Sequence, residues 1–249
     1  MPDSAKQLLA VNQIMSTIET GGKSRVSPFY LVLDLSGSMR PYLDTLQAAA
    51  EFTVTYLTKN IYESSVCRLS LIGFGSEAKT LIPLCDLARS RTPLPVLQDM
   101  GGTEYHASFQ ELVARINDDM PVLLKDYFVT RPCILFLTDG SPTDRTDDWM
   151  TARQQLIETR YRPNILSFGF GSVQEDTLKA VATINKEGQL YAYIHDGKTR
   201  LDDMLPKLFF ELTQSIVTSS VNASLNQPQE PFKTPAGFVN LELDVIDPI

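Results

Sequence analysis

The sequence predicts an α/β protein: a doubly wound, Rossmann-like, mostly parallel sheet of six strands, with one antiparallel edge strand and helices on both faces. Three observations lead there. Five short apolar runs feed into Gly, Ser or Asp, as buried strands do where a sheet meets its loops. Helical patterns lie between them, and strands separated by helices pair in parallel, because a parallel crossover needs a dozen or more residues. A sixth run follows the second too closely for any helix, so it turns straight back as a hairpin.

Taken in order, Leu8, Val11, Met15 and Ile18 recur at helical spacing and predict an amphipathic helix closed by Gly21-Gly22, within an N-terminal extension over 1–26. The first strand covers 29–33, and Leu43, Leu46, Ala50, Val54 and Leu57 then follow the three-and-four spacing of a helix face. The second strand covers 67–74. Only Gly75-Ser76-Glu77 separate it from 78–84, the antiparallel edge strand, where Pro83 is tolerated because an edge can lack a donor. Phe109, Leu112, Val113 and Ile116 mark another helix, and strands follow at 133–137, 164–170 and 189–194. The last helix covers 203–219, with Leu205, Leu208, Phe209, Leu212 and Ile216 on one face and Pro206 in its opening turn. These elements define a domain over 27–219. The remaining 220–249 reads as a linker, 222–237, and a tail in which 238–246 alternates apolar and polar residues and adds a strand to this domain or to a partner.

A chain of 249 residues that is 43% apolar fits one such domain with extensions. Its net charge of -8 argues against nucleic acid and anionic membrane as partners, since no basic patch offsets it. Cys67, Cys85 and Cys133 are odd in number and form no CxxC pair, which points to free thiols in a reducing compartment. The apolar run 8–11 is too short for a secretion signal, and no stretch approaches the roughly 20 apolar residues of a membrane span, so a cytoplasmic location is expected. Without secretion, the sequon Asn222-Ala223-Ser224 is read as chance.

The strongest chemical signal follows the first strand: Asp34-Leu35-Ser36-Gly37-Ser38, just before a helix. Oxygen-bearing side chains at alternate positions of a tight turn converge, and hydroxyls with a carboxylate suit a hard divalent cation. Helix capping explains one serine, but not an acid at the end of a buried strand. Gly101-Gly102-Thr103 opens a second helix, and Thr138-Asp139-Gly140 ends another strand. Loops at the carboxyl ends of neighbouring strands meet in a doubly wound sheet, which would bring Asp34 and Asp139 together and call for a cation between them.

The pattern Asp-x-Ser-x-Ser, a distant Thr and a later Asp-Gly resembles the metal-ion-dependent adhesion site (MIDAS) of von Willebrand factor type A (vWA) domains, over about residues 27–219. The resemblance implies Ser36, Ser38 and Thr103 as direct or near-direct ligands of Mg²⁺ or Mn²⁺, with Asp34 and Asp139 acting largely through water. It also implies a coordination position left for a partner's Glu or Asp. The loop wording Leu137-Thr138-Asp139-Gly140-Ser141-Pro142-Thr143-Asp144, the Gly101-Gly102-Thr103 entry and Leu212-Thr213-Gln214-Ser215 are similar to the bacterial tellurite-resistance-associated, TerY-like branch. That branch implies a cytoplasmic stress-response or phosphosignalling setting, with a kinase or phosphatase encoded nearby. The N-terminal helix and C-terminal tail depart from it, and the cysteine-rich zinc module of some members is missing.

Other residues are read more plainly. Asp144 is a solvated turn acid, with a place around the metal as the alternative, and Glu104 serves the helix dipole. His106 and His195 are ordinary surface or packed histidines. Gly22-Lys23-Ser24 resembles the end of a phosphate loop, but Thr17 stands where the first Gly belongs. The Asp34 loop is also similar to that of haloacid-dehalogenase-like phosphatases, whose general acid would fall at Ser36 and is therefore absent. The expected function is non-enzymatic: a metal-dependent protein-binding module, with specificity set by the loops 39–42, 104–108 and 141–147 and an anion favoured by the positive end of the helix after Thr103. Two other classes stand beside it, a metal-dependent phosphoryl or ester hydrolase and a scaffold with a vestigial site.

Overall fold

The computed structural model describes residues 22–228 and 232–242. The elements follow in chain order as β1 (Arg25–Asp34), a 3₁₀ turn (Gly37–Tyr42), α1 (Leu43–Lys59), α2 (Ile61–Val66), β2 (Cys67–Phe74), β3 (Ala78–Cys85), α3 (Leu87–Ser90) and α4 (Tyr105–Asp126). They continue as β4 (Phe128–Val129), β5 (Cys133–Thr138), α5 (Thr146–Glu158), β6 (Asn164–Gly169), α6 (Glu175–Val181), β7 (Ala192–His195), α7 (Leu201–Ser224) and β8 (Phe238–Leu241).

Strand β1 is buried on both faces, and its period-two alternation divides the core. Phe29, Leu31 and Leu33 point to one side, with Leu46, Ala50 and Leu57 of α1 and Leu205, Leu208, Phe209 and Leu212 of α7. Tyr30 and Val32 point to the other, with Phe109, Leu112 and Ile116 of α4 and Trp149, Ala152 and Leu156 of α5. The doubly wound architecture with helices on both faces is therefore as expected.

Among the described residues the sheet has eight strands rather than six, in the order β3-β2-β1-β5-β6-β7-β8, with β4 paired to the start of β1. β4 is two residues long, too short to leave a pattern in the sequence. Antiparallel strands close both edges rather than one: β3 on β2 as expected, and β8 on β7. The added edge forms because Phe238 returns to the sheet, its ring packing against Phe168 at 6.1 Å and His195 at 5.8 Å.

Helix α7 runs to Ser224, past the expected end at 219. Its later buried positions are Ser220, Ala223 and Ser224, and the two serine hydroxyls bond back to the helix: Ser220 Oγ to the Ile216 carbonyl at 2.8 Å and Ser224 Oγ to the Val221 carbonyl at 2.8 Å. Polar residues thus continue a buried face that an apolar periodicity does not reveal. Helices α5 and α6 likewise went unread in the sequence. The expected helix at 8–18 and the tail beyond residue 242 lie outside the described residues. No helix among the described residues is long and apolar enough to cross a membrane. Cys67, Cys85 and Cys133 are all unpaired.

Candidate metal centre

Strand order reverses beside β1, which has β2 on one side and β5 on the other, both parallel. This is the topological switch point, where loops diverge and leave a crevice at the carboxyl edge. Asp34 ends β1 and Asp139 follows β5, so adjacent strands deliver the two acids to that crevice.

Asp34 is 1% exposed; its Oδ1 accepts the Ser36 backbone N–H at 2.9 Å and its Oδ2 the Thr138 hydroxyl at 2.7 Å. Ser36 Oγ lies 3.0 Å from Ser38 Oγ, which in turn donates to Asp139 Oδ1 at 2.8 Å. Four of the five sequence-predicted residues thus form one continuous polar chain.

Thr103 is placed by its loop. Gly37 N–H donates to the Gly101 carbonyl at 2.7 Å and Met100 N–H to the Leu35 carbonyl at 2.7 Å, strapping the segment before Thr103 across the Asp34 loop. Gly101 has φ 87°, where a side chain would be strained and a Cβ would meet Ser76 Oγ at 2.6 Å. Thr103 N–H donates to Thr143 Oγ1 at 3.2 Å, and Thr143 N–H returns to the Thr103 carbonyl at 2.9 Å. The Thr103 side chain faces Gly140, its Oγ1 3.7 Å from where a Cβ on that glycine would sit, and its hydroxyl makes no hydrogen bond among the described residues. It stands beside the serine–aspartate chain without joining it.

Gly171 backs the third loop. A Cβ there would lie 2.8 Å from the Asp139 carbonyl oxygen, and φ is 68°, so the chain passes behind Asp139 closer than any side chain would permit. The Asp139 carbonyl accepts the Ser172 N–H at 2.9 Å.

One expectation about the rim is corrected. Asp144 is not a solvated turn acid: its carboxylate accepts the backbone N–H of Tyr105 at 3.2 Å and of His106 at 2.6 Å, capping α4 from another loop. Glu104, at the N-cap position, makes no side-chain cap bond; its N–H donates to the Gly75 carbonyl at 2.9 Å. The positive end of α4 therefore already holds one anion, the Asp144 carboxylate. Sequence reasoning also missed Thr138 and Tyr105. Thr138 was legible as a hydroxyl ending a buried strand next to an acid, whereas Tyr105 carries no local signal. His106 Nδ1 contacts the Asp148 carbonyl at 3.1 Å, while the His195 ring packs on Phe238 at the end of β7.

The electrostatics suit a cation. Burial pushes the Asp139 carboxyl up to about 6, with the charge of Asp34 adding to the rise, and burial also raises Asp34. Among the described residues no Lys or Arg pairs with either acid. Two buried carboxylates beside three hydroxyls form an all-oxygen donor set of the kind hard divalent ions take. Among the described residues, no group of three or more His, Cys, Asp or Glu is placed so that it could hold a metal ion.

Residues 29–141, a span containing all five candidates, match the family model described as von Willebrand factor type A domain. No curated protein matches the chain. Among solved structures, von Willebrand factor type A from Catenulispora acidiphila aligns with TM-score 0.54 at 16% identity, over 78% of this chain and 43% of that one. Proximal thread matrix protein 1 from the mussel byssus, in a structure with a zinc-occupied MIDAS motif, gives TM-score 0.57 at 15% identity, over 78% of this chain and 48% of that one. The pilus adhesin SpaC from Lactobacillus rhamnosus GG gives 0.56 at 13% identity, over 79% and 31%. The chain spans less than half the length of these solved proteins, and the likeness is one of fold.

Proposed function

We propose that this chain, which has the von Willebrand factor type A fold and matches that domain over residues 29–141, binds Mg²⁺ or Mn²⁺ through Asp34, Ser36, Ser38, Thr103 and Asp139 and uses it to grip a carboxylate of a protein partner. The observation that carries the proposal is the pair of buried, unneutralised acids, Asp34 and Asp139, joined through Ser36 and Ser38 where three loops meet. The zinc-occupied MIDAS of the mussel protein supports it as a precedent on the same fold. When bound, the cation supplies a positive acceptor for a Glu or Asp, because three of the five side chains around it are neutral hydroxyls. The chain's own part is orientation: Ser36 N–H and Thr138 hold Asp34, Ser38 holds Asp139, and Thr143 holds the backbone of Thr103.

The reading is non-enzymatic: Ser38, whose hydroxyl donates to Asp139, is assigned together with that acid to holding the cation rather than to attack on a substrate. A hydrolase would show metal-dependent turnover of generic phosphate or ester substrates that Asp34→Ala abolishes, and none is expected. A cytoplasmic, tellurite-resistance-type signalling role rests on the wording of the loop 137–144, and the genes flanking this one test it: a kinase or phosphatase beside it supports the branch.

The deciding measurement is thermal unfolding in chelator and in Mg²⁺ or Mn²⁺. Binding to the native state raises the melting temperature by linkage, so metal is expected to stabilise wild type and to leave Asp34→Ala unmoved. Identical melting in metal and chelator would rule the proposal out, including a live site of any kind, and would favour a vestigial scaffold.

A further inference from the structure

Beneath the centre, two buried hydroxyls serve more acceptors than they have protons. Tyr105 Oη lies 2.9 Å from the Gly140 carbonyl oxygen and 3.1 Å from Thr138 Oγ1. Thr138 Oγ1 lies 2.7 Å from Asp34 Oδ2 and 3.1 Å from the same Gly140 carbonyl. Tyr105 and Thr138 are both 0% exposed, so bulk water contributes no further donor. Each hydroxyl carries one proton. With the tyrosine proton on the Gly140 carbonyl, its shorter contact, the threonine proton is free for Asp34. Without it, a buried carbonyl and a buried carboxylate compete for one donor. Either the Gly140 carbonyl goes without a hydroxyl donor or Asp34 loses the one on its Oδ2 and keeps the Ser36 N–H on Oδ1; both groups belong to the centre, since Gly140 directly follows Asp139.

We propose that Tyr105 is a positioning residue for the metal centre: by satisfying the Gly140 carbonyl it commits the Thr138 hydroxyl to Asp34 and fixes that carboxylate from below. The inference rests on the reading that Asp34 helps to hold a cation. Tyr105 reaches all three loops. It lies two residues after Thr103, donates its N–H to Asp144, and touches Asp34 through Thr138. Its ring packs edge-on against Phe74 at 5.8 Å, Phe136 at 5.1 Å and Trp149 at 5.6 Å, contacts that phenylalanine would keep. Tyr105→Phe therefore isolates the proton.

The test is Mn²⁺ titration by calorimetry of wild type, Tyr105→Phe, Thr138→Val, Thr138→Ser and the double variant Tyr105→Phe/Thr138→Val. Melting in chelator first identifies which variants are folded. Outer partners of metal ligands typically change affinity by about 10–100-fold, and that loss is expected for Tyr105→Phe and for Thr138→Val. Thr138→Ser keeps the proton and restores binding. Because the tyrosine acts through the threonine, the double variant is expected to bind no more weakly than Thr138→Val alone. Wild-type affinity in Tyr105→Phe, or strictly additive losses, overturns the inference while leaving the metal centre standing. Should Tyr105→Phe not fold, the threonine pair decides: equal affinity of Thr138→Val and wild type overturns it too. Absence of Mn²⁺ binding by wild type would overturn the centre itself.

Discussion

Replacing Asp144 by alanine should destabilise the protein, although the residue lies on a surface loop outside every helix. Its carboxylate takes the Tyr105 N–H at 3.2 Å and the His106 N–H at 2.6 Å, two of the four donors that the start of α4 leaves without intrahelical partners. Loss of a side-chain cap costs about 1 kcal/mol and at most about 2. The favourable placement of a negative charge at a helix start contributes roughly 0.3–1 kcal/mol more. Together these give about 1–2 kcal/mol, since the half-buried carboxylate is partly screened. For a chain of this size that corresponds to a fall in melting temperature of about 3–6 °C. Asp144→Asn keeps an acceptor and loses the charge, so it should fall between wild type and alanine. Glu104→Ala, at the N-cap position but without a cap bond, should stay within about 0.5 kcal/mol of wild type. Differential scanning calorimetry in chelator measures all three without interference from metal. Equal melting of Asp144→Ala and wild type, or a larger loss from Glu104→Ala, would refute the assignment of the cap to Asp144.

Three further outcomes are expected. In chelator at pH 7, Asp139→Asn should melt above wild type: a carboxyl raised to about 6 stabilises the fold fully only below its ordinary 3.8 and loses that contribution as pH rises through 6. In saturating Mg²⁺ the order should reverse, and an unchanged order would show that Asp139 does not hold the ion. Alkylation of the native protein should be slow at Cys67 and Cys133, both pushed up to about 12 by burial, and complete at all three cysteines after unfolding without reductant; mass spectrometry finding a disulfide would contradict this. Thr103→Ala should weaken capture of a partner from native lysate far more than it lowers the melting temperature, and capture that persists in chelator would move recognition away from the metal.

The central strands were legible because their burial on two faces writes unbroken apolar runs: 67–74 was read to the residue, and β1 differed only in its first few and last positions. Helix α5 escaped because only Trp149, Ala152 and Leu156 are buried, behind a first turn that contains Asp147 and Asp148. The five candidate residues were legible because each stands at or near the end of a strand or the start of a helix, where local sequence announces it. Asp144 and Tyr105 were not, since their roles depend on partners such as His106 and Thr138, 38 and 33 residues away, and no spacing within either segment encodes such a meeting.

The aromatic packing under the centre gives the molecule an optical consequence. Trp149 is the sole tryptophan, 2% exposed, with its ring 5.6 Å from Tyr105 and stacked at 6.2 Å on Phe109. Its indole N–H has no hydrogen-bond partner among the described residues, so emission should lie at the blue end of the tryptophan range. Tyrosine excitation next to it should pass largely to the indole. A shift of Tyr105 that accompanies events at the three loops would then change both the transfer efficiency and the emission maximum. Stopped-flow mixing with Mn²⁺ could follow such events with no label attached to the protein.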